Sequence, residues 1–203
     1  MGDMEYITVI IEKARIAQKE FETYSQEQVD QVVKATGKAV YDNGEDLARL
    51  AVDETKMGNF EDKIMKNKGK AMAVWNYLKG KKSVGILKYI EEGIVEVGKP
   101  IGIIGAVTPV TNPVMTPMHN AMIALKGRNA IVICPHPGAK KSPQHNANRG
   151  VFFGSRPARN QGHGHHADQT GYERAGQHHS ELPRMRGRGR LAASPSQRRR
   201  RVQ

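Results

Sequence analysis

Cysteine is almost absent: Cys134 is the only one among 203 residues. A single thiol excludes an intramolecular disulfide framework and a multi-cysteine zinc site, and it suits a reducing compartment. No stretch approaches the ~18 consecutive apolar residues of a membrane span. The N-terminus has neither the apolar core nor the small-residue cleavage site of a secretory leader. The expected location is the cytoplasm, with no membrane partner. Two phosphate-cradling motifs are also missing, the Gly-x-Gly-x-x-Gly turn and the Walker A loop. One further absence is local: from Ser142 to Gln203 there is no lysine and no isoleucine.

That local absence divides the chain. Residues 1–141 hold 17 Lys, 3 Arg and 17 acidic residues, a net charge of +3. Residues 142–203 hold 12 Arg and 3 acidic residues, a net +9 of the whole-chain +12. The sequence pI of about 9.9 therefore describes the last third, and any affinity for nucleic acid belongs to that third alone. Only 14 of those 62 residues are apolar, and they follow neither a helix nor a strand period. Such a segment cannot bury enough surface to offset its ordering entropy, so disorder is expected. The expected organisation is a folded part, 1–141, and a disordered Arg/His-rich tail, 142–203.

The folded part opens with helices. Ile7, Ile10, Ile11, Ala14, Ala17 and Phe21 form one apolar stripe at three- and four-residue spacing. Ser25, with Gln28 three residues on, is a capping-box signature. It starts a second helix with Val29, Val32, Val33, Ala39 and Val40 on its inner face. Asp42-Asn43-Gly44 breaks that helix, and a third covers about 45–55. After a turn at 56–60, with Asn59 as a cap, a fourth covers about 61–79. Its Ile64, Met65, Ala71, Met72, Trp75 and Leu78 have the spacing of a buried face.

Extended structure follows. Ser83–Tyr89 and Ile94–Val97 read as short strands, with Gly98-Lys99-Pro100 as a turn. Ile101–Val107 is a continuous apolar run, expected to be a strand covered on both faces. The two prolines of Thr108–Pro113 stop it. A helix is predicted over 114–126, with Pro117 in its first turn and Gly127 as its stop. Ala130–Cys134 is a second buried strand, ended by Pro135-His136-Pro137. A helix should follow Lys140, but the pattern collapses there and none is expected.

Strand, helix, strand is the βαβ unit of an open parallel sheet, and ligands of such sheets sit beyond the carboxyl ends of the strands. Two such ends are visible, Thr108–Pro113 and Cys134–Pro137. A dinucleotide lying along that edge would touch both.

The segments GKPIGIIGAVTPVTNP, MTPMHNAMIALKGRNAIV and CPHPGAKK resemble the N-terminal part of the CoA-acylating aldehyde dehydrogenases. ARIAQKEF, SQEQVDQVV, ETKMGNFEDKIMKN and KKSVGI resemble it too, so the likeness covers about residues 5–141. The resemblance implies an α/β fold: the N-terminal part of an aldehyde dehydrogenase, helices plus an incomplete Rossmann-like parallel sheet. It implies oxidation of an aldehyde to an acyl-CoA, with NAD or NADP as hydride acceptor, coenzyme A as co-substrate, and a homo-oligomer at full length. A cysteine thiolate would attack the aldehyde, and an Asn after the first buried strand would donate to the oxyanion.

In this chain that Asn is Asn112. A gapless alignment with the hydrolytic relatives points to Thr111 instead, and Asn ahead of a helix is also a common cap. The cofactor-binding candidates are Thr108, Pro109, Val110, Thr111 and His136. His136 falls where the family meets the adenosine ribose, although it could equally be a loop histidine without a ligand. No metal site is expected. Cys134 ends a buried strand and reads as structural; the family's nucleophile lies further along, with a Gly-rich loop and a catalytic domain that this chain lacks. No acyl-CoA-forming turnover is expected of these 203 residues.

Three readings fit the tail. The first is a shifted reading frame near codon 142. The second is a basic segment that binds RNA or another polyanion through RGRGR (186–190) and RRRR (198–201). The third is adventitious metal binding by His163, His165, His166, His178 and His179. The sulfoacetaldehyde type is the substrate leaning of KKSVGI and GKPIGIIGAVTPVTNP.

Overall fold

The helices form where the apolar periodicity places them, and side-chain caps set the starts of α2 and α4. In a computed structural model of the chain, which describes residues 3–146, six helices and two two-stranded sheets are present among the described residues. Helix α1 is Asp3–Phe21 and α2 is Gln26–Asp42. The α2 box is complete: the Gln28 N–H donates to Ser25 Oγ and the Ser25 N–H to Gln28 Oε1. A cap of this kind stabilises a helix by about 1 kcal/mol. Helix α3, Gly44–Thr55, ends at Lys56 in the left-handed conformation. Helix α4, Phe60–Leu78, starts at Asn59, whose side chain accepts from the Asp62 N–H.

Strands β1 (Gly85–Glu91) and β2 (Ile94–Gly98) form an antiparallel hairpin. Strand β3 (Ile103–Thr108), helix α5 (Met115–Lys126) and strand β4 (Ala130–Pro135) form the βαβ unit, with β3 and β4 parallel. Pro117 does sit in the first turn of α5. Gly127 ends that helix with φ −86, and the left-handed residue is Arg128 instead.

The main core lies between α2, α3, α4 and α5, rather than on the sheet. Val29, Val33 and Val40 of α2, Leu47 and Ala51 of α3, Ala71, Trp75 and Leu78 of α4, and Met118 and Met122 of α5 share one cluster. Trp75 is core, as its spacing predicts. Polar ties hold the layers in place. The nearly buried Lys126 ammonium pairs with Asp30 across α5 and α2. Gln26 Oε1 accepts from the Ser83 and Val84 N–H groups and so anchors the approach to β1. Asn129 Oδ1 accepts from the N–H groups of Ile101 and Gly102, which sets where β3 begins.

Several expectations are corrected. On α1 only Phe21 of the predicted stripe is fully buried; Ile7 and Ile11 are exposed. Ile10, Ala14 and Ala17 are half-buried, and α1 packs against β3 and β4. Met65 is also exposed; in α4, Asn67 is buried instead, donating to Gly44 O. Strand β3 is covered unevenly: Ala106 and Thr108 are buried, while Val107 is 83% exposed. On the Val107 side Ile103 is half-buried and α1 packs against both strands, so that face is open toward its carboxyl end among the described residues. Cys134 pairs with Val107 and shares that open face, so it is exposed, contrary to the buried position expected of it. A helix does follow Lys140: α6, Lys141–Asn146, whose start is held by a carboxylate described below. The disorder expected from Ser142 does not begin there: residues 142–146 are helical and Ser142 is buried. The rest of the tail, with its histidine cluster, lies outside the described residues. Among the described helices none is long and apolar enough to cross a membrane.

Candidate functional site

Parallel register brings the two candidate loops together. Thr108 is opposite Pro135, and one residue later the His136 N–H donates to Thr108 O at 3.1 Å. The chain therefore leaves β3 and β4 side by side, and Thr108–Pro113 and Pro135–Gly138 form one rim at the carboxyl edge. Thr108 is 2% exposed, and its Oγ1 has no hydrogen-bond partner among the described residues. A buried hydroxyl without a partner is uncommon and costs about 1–3 kcal/mol. His136 is exposed, and its Nδ1 accepts from the Gly138 N–H at 3.0 Å. That bond leaves Nε2 as the free edge of the ring. Pro109 is exposed and Val110 is half-buried.

Helix α4 reaches the rim from below. The Lys63 ammonium donates to Thr111 O at 3.0 Å, and the Lys66 ammonium donates to Asn112 Oδ1. The Asn112 Nδ2 in turn donates to Thr111 Oγ1 at 3.2 Å. Asn112 is not the cap of α5: Val114 holds that position and no side chain caps the helix. Because a cation takes its oxygen, the amide presents its N–H₂ end as the group able to donate further. Burial pushes the Lys63 ammonium to lower pKa, and the neighbouring Lys66 charge adds to that shift.

A groove of about 430 Å³ runs away from Asn112 between α4 and α5. Lys66 and Lys70 line it on one side and Thr116 and His119 on the other, over an apolar floor that includes Val74 and Met115.

The start of α6, next to the second loop, is already closed. The Lys141 and Ser142 N–H groups and the Ser142 hydroxyl donate to the Glu54 carboxylate at 2.7, 2.8 and 2.6 Å. Burial alone would raise the Glu54 pKa; these hydrogen bonds outweigh it and hold the carboxyl below its ordinary value. A phosphate would have to displace that carboxylate, so this helix end is structural. Cys134 stands apart from the rim residues, because alternation along β4 turns its side chain to the open face. No cluster of possible metal ligands occurs among the described residues.

Lys63, Lys66 and Glu54 were not anticipated from sequence. A signal for the lysines existed: positions 63, 66 and 70 recur at three- and four-residue spacing and so share one face of α4. Nothing local links Glu54 to residues 141 and 142.

The sequence signature of the Aldehyde dehydrogenase family matches residues 1–146. The chain is 57% identical over 146 residues to a succinate-semialdehyde dehydrogenase (acetylating) of Clostridium kluyveri, covering 71% of this chain and 32% of that protein. It is 46% identical over 136 residues to a sulfoacetaldehyde dehydrogenase of an Acholeplasma species, covering 65% of this chain and 28% of the relative. The fold matches the crystal structure of an acetylating aldehyde dehydrogenase from Geobacillus thermoglucosidasius at TM-score 0.69 and 39% identity, over 71% of this chain and 32% of that one. The chain thus spans about a third of the length of these relatives.

Proposed function

The chain belongs to the aldehyde dehydrogenase family, and from that premise we propose that it carries the nucleotide edge and the oxyanion donor of a CoA-acylating enzyme. The reaction is that of an aldehyde, CoA and NAD(P)+ going to an acyl-CoA and NAD(P)H. The observation that carries this reading is the rim itself. Two parallel strands end in register, and an orphaned buried hydroxyl, Thr108 Oγ1, sits at that edge. Ligands of open α/β sheets bind beyond such an edge, so the residues present fit a nicotinamide dinucleotide. Thr108, Pro109, Val110 and Thr111 would line one side of it and His136 the other. When bound, the cofactor supplies the hydride acceptor.

Asn112 is the donor toward the aldehyde oxygen. Lys66 holds its Oδ1 and so fixes which end of the amide faces outward. A preset donor of this kind costs no reorganisation when charge develops on the oxygen. The groove that begins at Asn112 receives the rest of the aldehyde. Coenzyme A rests on the family relationship alone. Cys134, on the open face of the sheet, is not the nucleophile, so these 203 residues bind nucleotide without catalysing acyl transfer.

The same reading covers the remaining surfaces. The hairpin exposes Ile86, Tyr89, Ile90, Ile94, Val95 and Val97, and an isolated two-stranded hairpin is marginal in water. It serves as the oligomerisation surface of a homo-oligomer. The domain portion reaches past residue 141 through α6, whose Ser142 is bonded to Glu54, and the location is cytoplasmic. The test is a fluorescence titration of the purified chain with NADH and NADPH, alongside an assay of CoA-dependent NAD(P)+ reduction. Nucleotide binding without turnover supports the proposal. Absence of binding by either nucleotide removes the cofactor edge, and measurable turnover removes the claim about Cys134.

A further inference from the structure

We propose that Lys63 is a modification site: its side-chain amine takes the acyl group of an acyl thioester, the class of product that the proposed function gives the reaction. The inference rests on that reading only for the source of the thioester. The reactivity belongs to the lysine itself.

Three observations carry it. First, the side chain is held in place. Gly58 has φ +74, and a Cβ there would stand 3.2 Å from Lys63 Cε, so the bare glycine makes room for the lysine stem. The nitrogen at the end of that stem donates to Thr111 O at 3.0 Å, beside the rim. Second, no carboxylate pairs with Lys63 among the described residues. Asp62, its neighbour in sequence, instead accepts from Asn59 Nδ2 at 2.6 Å. A carbonyl accepts from a neutral amine as well as from an ammonium, so Thr111 O does not require the charge. Third, a second cation is close. Lys66 lies one turn on along α4 and holds Asn112, the next residue of the same loop. Partial burial, and then the Lys66 charge, both favour the neutral amine at position 63. A lysine that is desolvated or set beside another cation is an activated nucleophile.

The step balances without an oxidant or reductant. The amine lone pair adds to the thioester carbonyl carbon, a C–N bond forms and the C–S bond breaks. The thiolate leaves with the electron pair and takes up the proton that the nitrogen sheds. The amide product keeps one N–H, able to donate to Thr111 O, and has lost its charge.

The experiment incubates the full 203-residue chain with acetyl-CoA and, separately, with S-acetyl-N-acetylcysteamine, a thioester without the nucleotide. Mass spectrometry of Glu-C digests follows the acetylation rate of each lysine. The exposed Lys56, Lys88 and Lys99 serve as internal references. A parallel incubation in concentrated urea removes the folded environment. The expected result is that Lys63 is acetylated at least about threefold faster than the references in the folded chain, and that the lead disappears in urea. Such a lead with either thioester supports the site. Lys63 no faster than the references with both thioesters, or a lead that persists in urea, overturns it. An NADPH titration of the same chain keeps this apart from the proposed function. Nucleotide binding with equal lysine rates sinks only the role of Lys63. A fast Lys63 without nucleotide binding sinks the cofactor edge and leaves the modification site standing.

Discussion

Replacing Asn129 with alanine tests how the site is held in register. Asn129 is 6% exposed and connects the starts of both parallel strands. Its Oδ1 accepts from the Ile101 N–H at 2.6 Å and the Gly102 N–H at 2.9 Å, while its Nδ2 donates to Ala124 O at 3.2 Å. Truncation leaves two backbone donors without an acceptor. An orphan shut off from water costs about 1–3 kcal/mol. Ile101 is 90% exposed and its N–H regains water, whereas Gly102 is half-buried. The expected loss is therefore near the lower end for the pair, about 2 kcal/mol. With a urea m-value of about 1–3 kcal/mol/M, the midpoint falls by roughly 1 M. Asn129→Asp keeps the acceptor for both N–H groups and loses only the donors, so it should lie between wild type and alanine. Urea unfolding followed by circular dichroism reads all three. An alanine variant as stable as wild type, or an aspartate variant as damaged as alanine, refutes the reasoning that these two bonds position β3.

Three further outcomes follow from the same contacts. Thr108→Val removes the orphaned hydroxyl, so the chain should gain about 1 kcal/mol of stability while its affinity for NADPH falls; parallel unfolding and titration curves check both. Glu54 is held below its ordinary pKa, so its contribution is present above the unfolded carboxyl value of about 4.3 and is lost as pH falls through the lower folded value. Glu54→Gln should therefore show a smaller acid-induced loss of stability in that window, read by thermal melts across pH. Asp30→Ala leaves the Lys126 ammonium buried and unpaired, which costs about 3 kcal/mol; an unchanged melting temperature would contradict the pairing.

Much of the fold was legible because it is local. Ser25 and Gln28 lie within one turn, and the capping box formed as their spacing requires. Prolines at 109 and 113 ended a strand, and the apolar runs at 103–107 and 130–134 paired in parallel. The two loops of the candidate site could be placed on one edge for the same reason. Burial was less legible. Val107 and Cys134 sit in apolar runs that suit a strand covered twice, yet which face is covered depends on layers beyond the strand itself. The α6 start was missed because its acceptor, Glu54, is 87 and 88 residues away in sequence from the groups it holds. The clamp on Asn112 was missed likewise: Lys63 and Lys66 reach the rim only once α4 packs against α5. Sequence left Asn112 open between a helix cap and an amide donor, and the geometry removes the cap.

The proposed nicotinamide dinucleotide lies along the rim formed by Thr108–Pro113 and Pro135–Gly138. The most direct measurement is amide chemical-shift mapping of the labelled 203-residue chain during titration with NADPH and NADH. Shifts should concentrate at Thr108, Val110, Thr111, Asn112, His136 and Gly138, with the hairpin residues Gly85–Gly98 unmoved. Shifts confined to other surfaces, or none with either nucleotide, would contradict it.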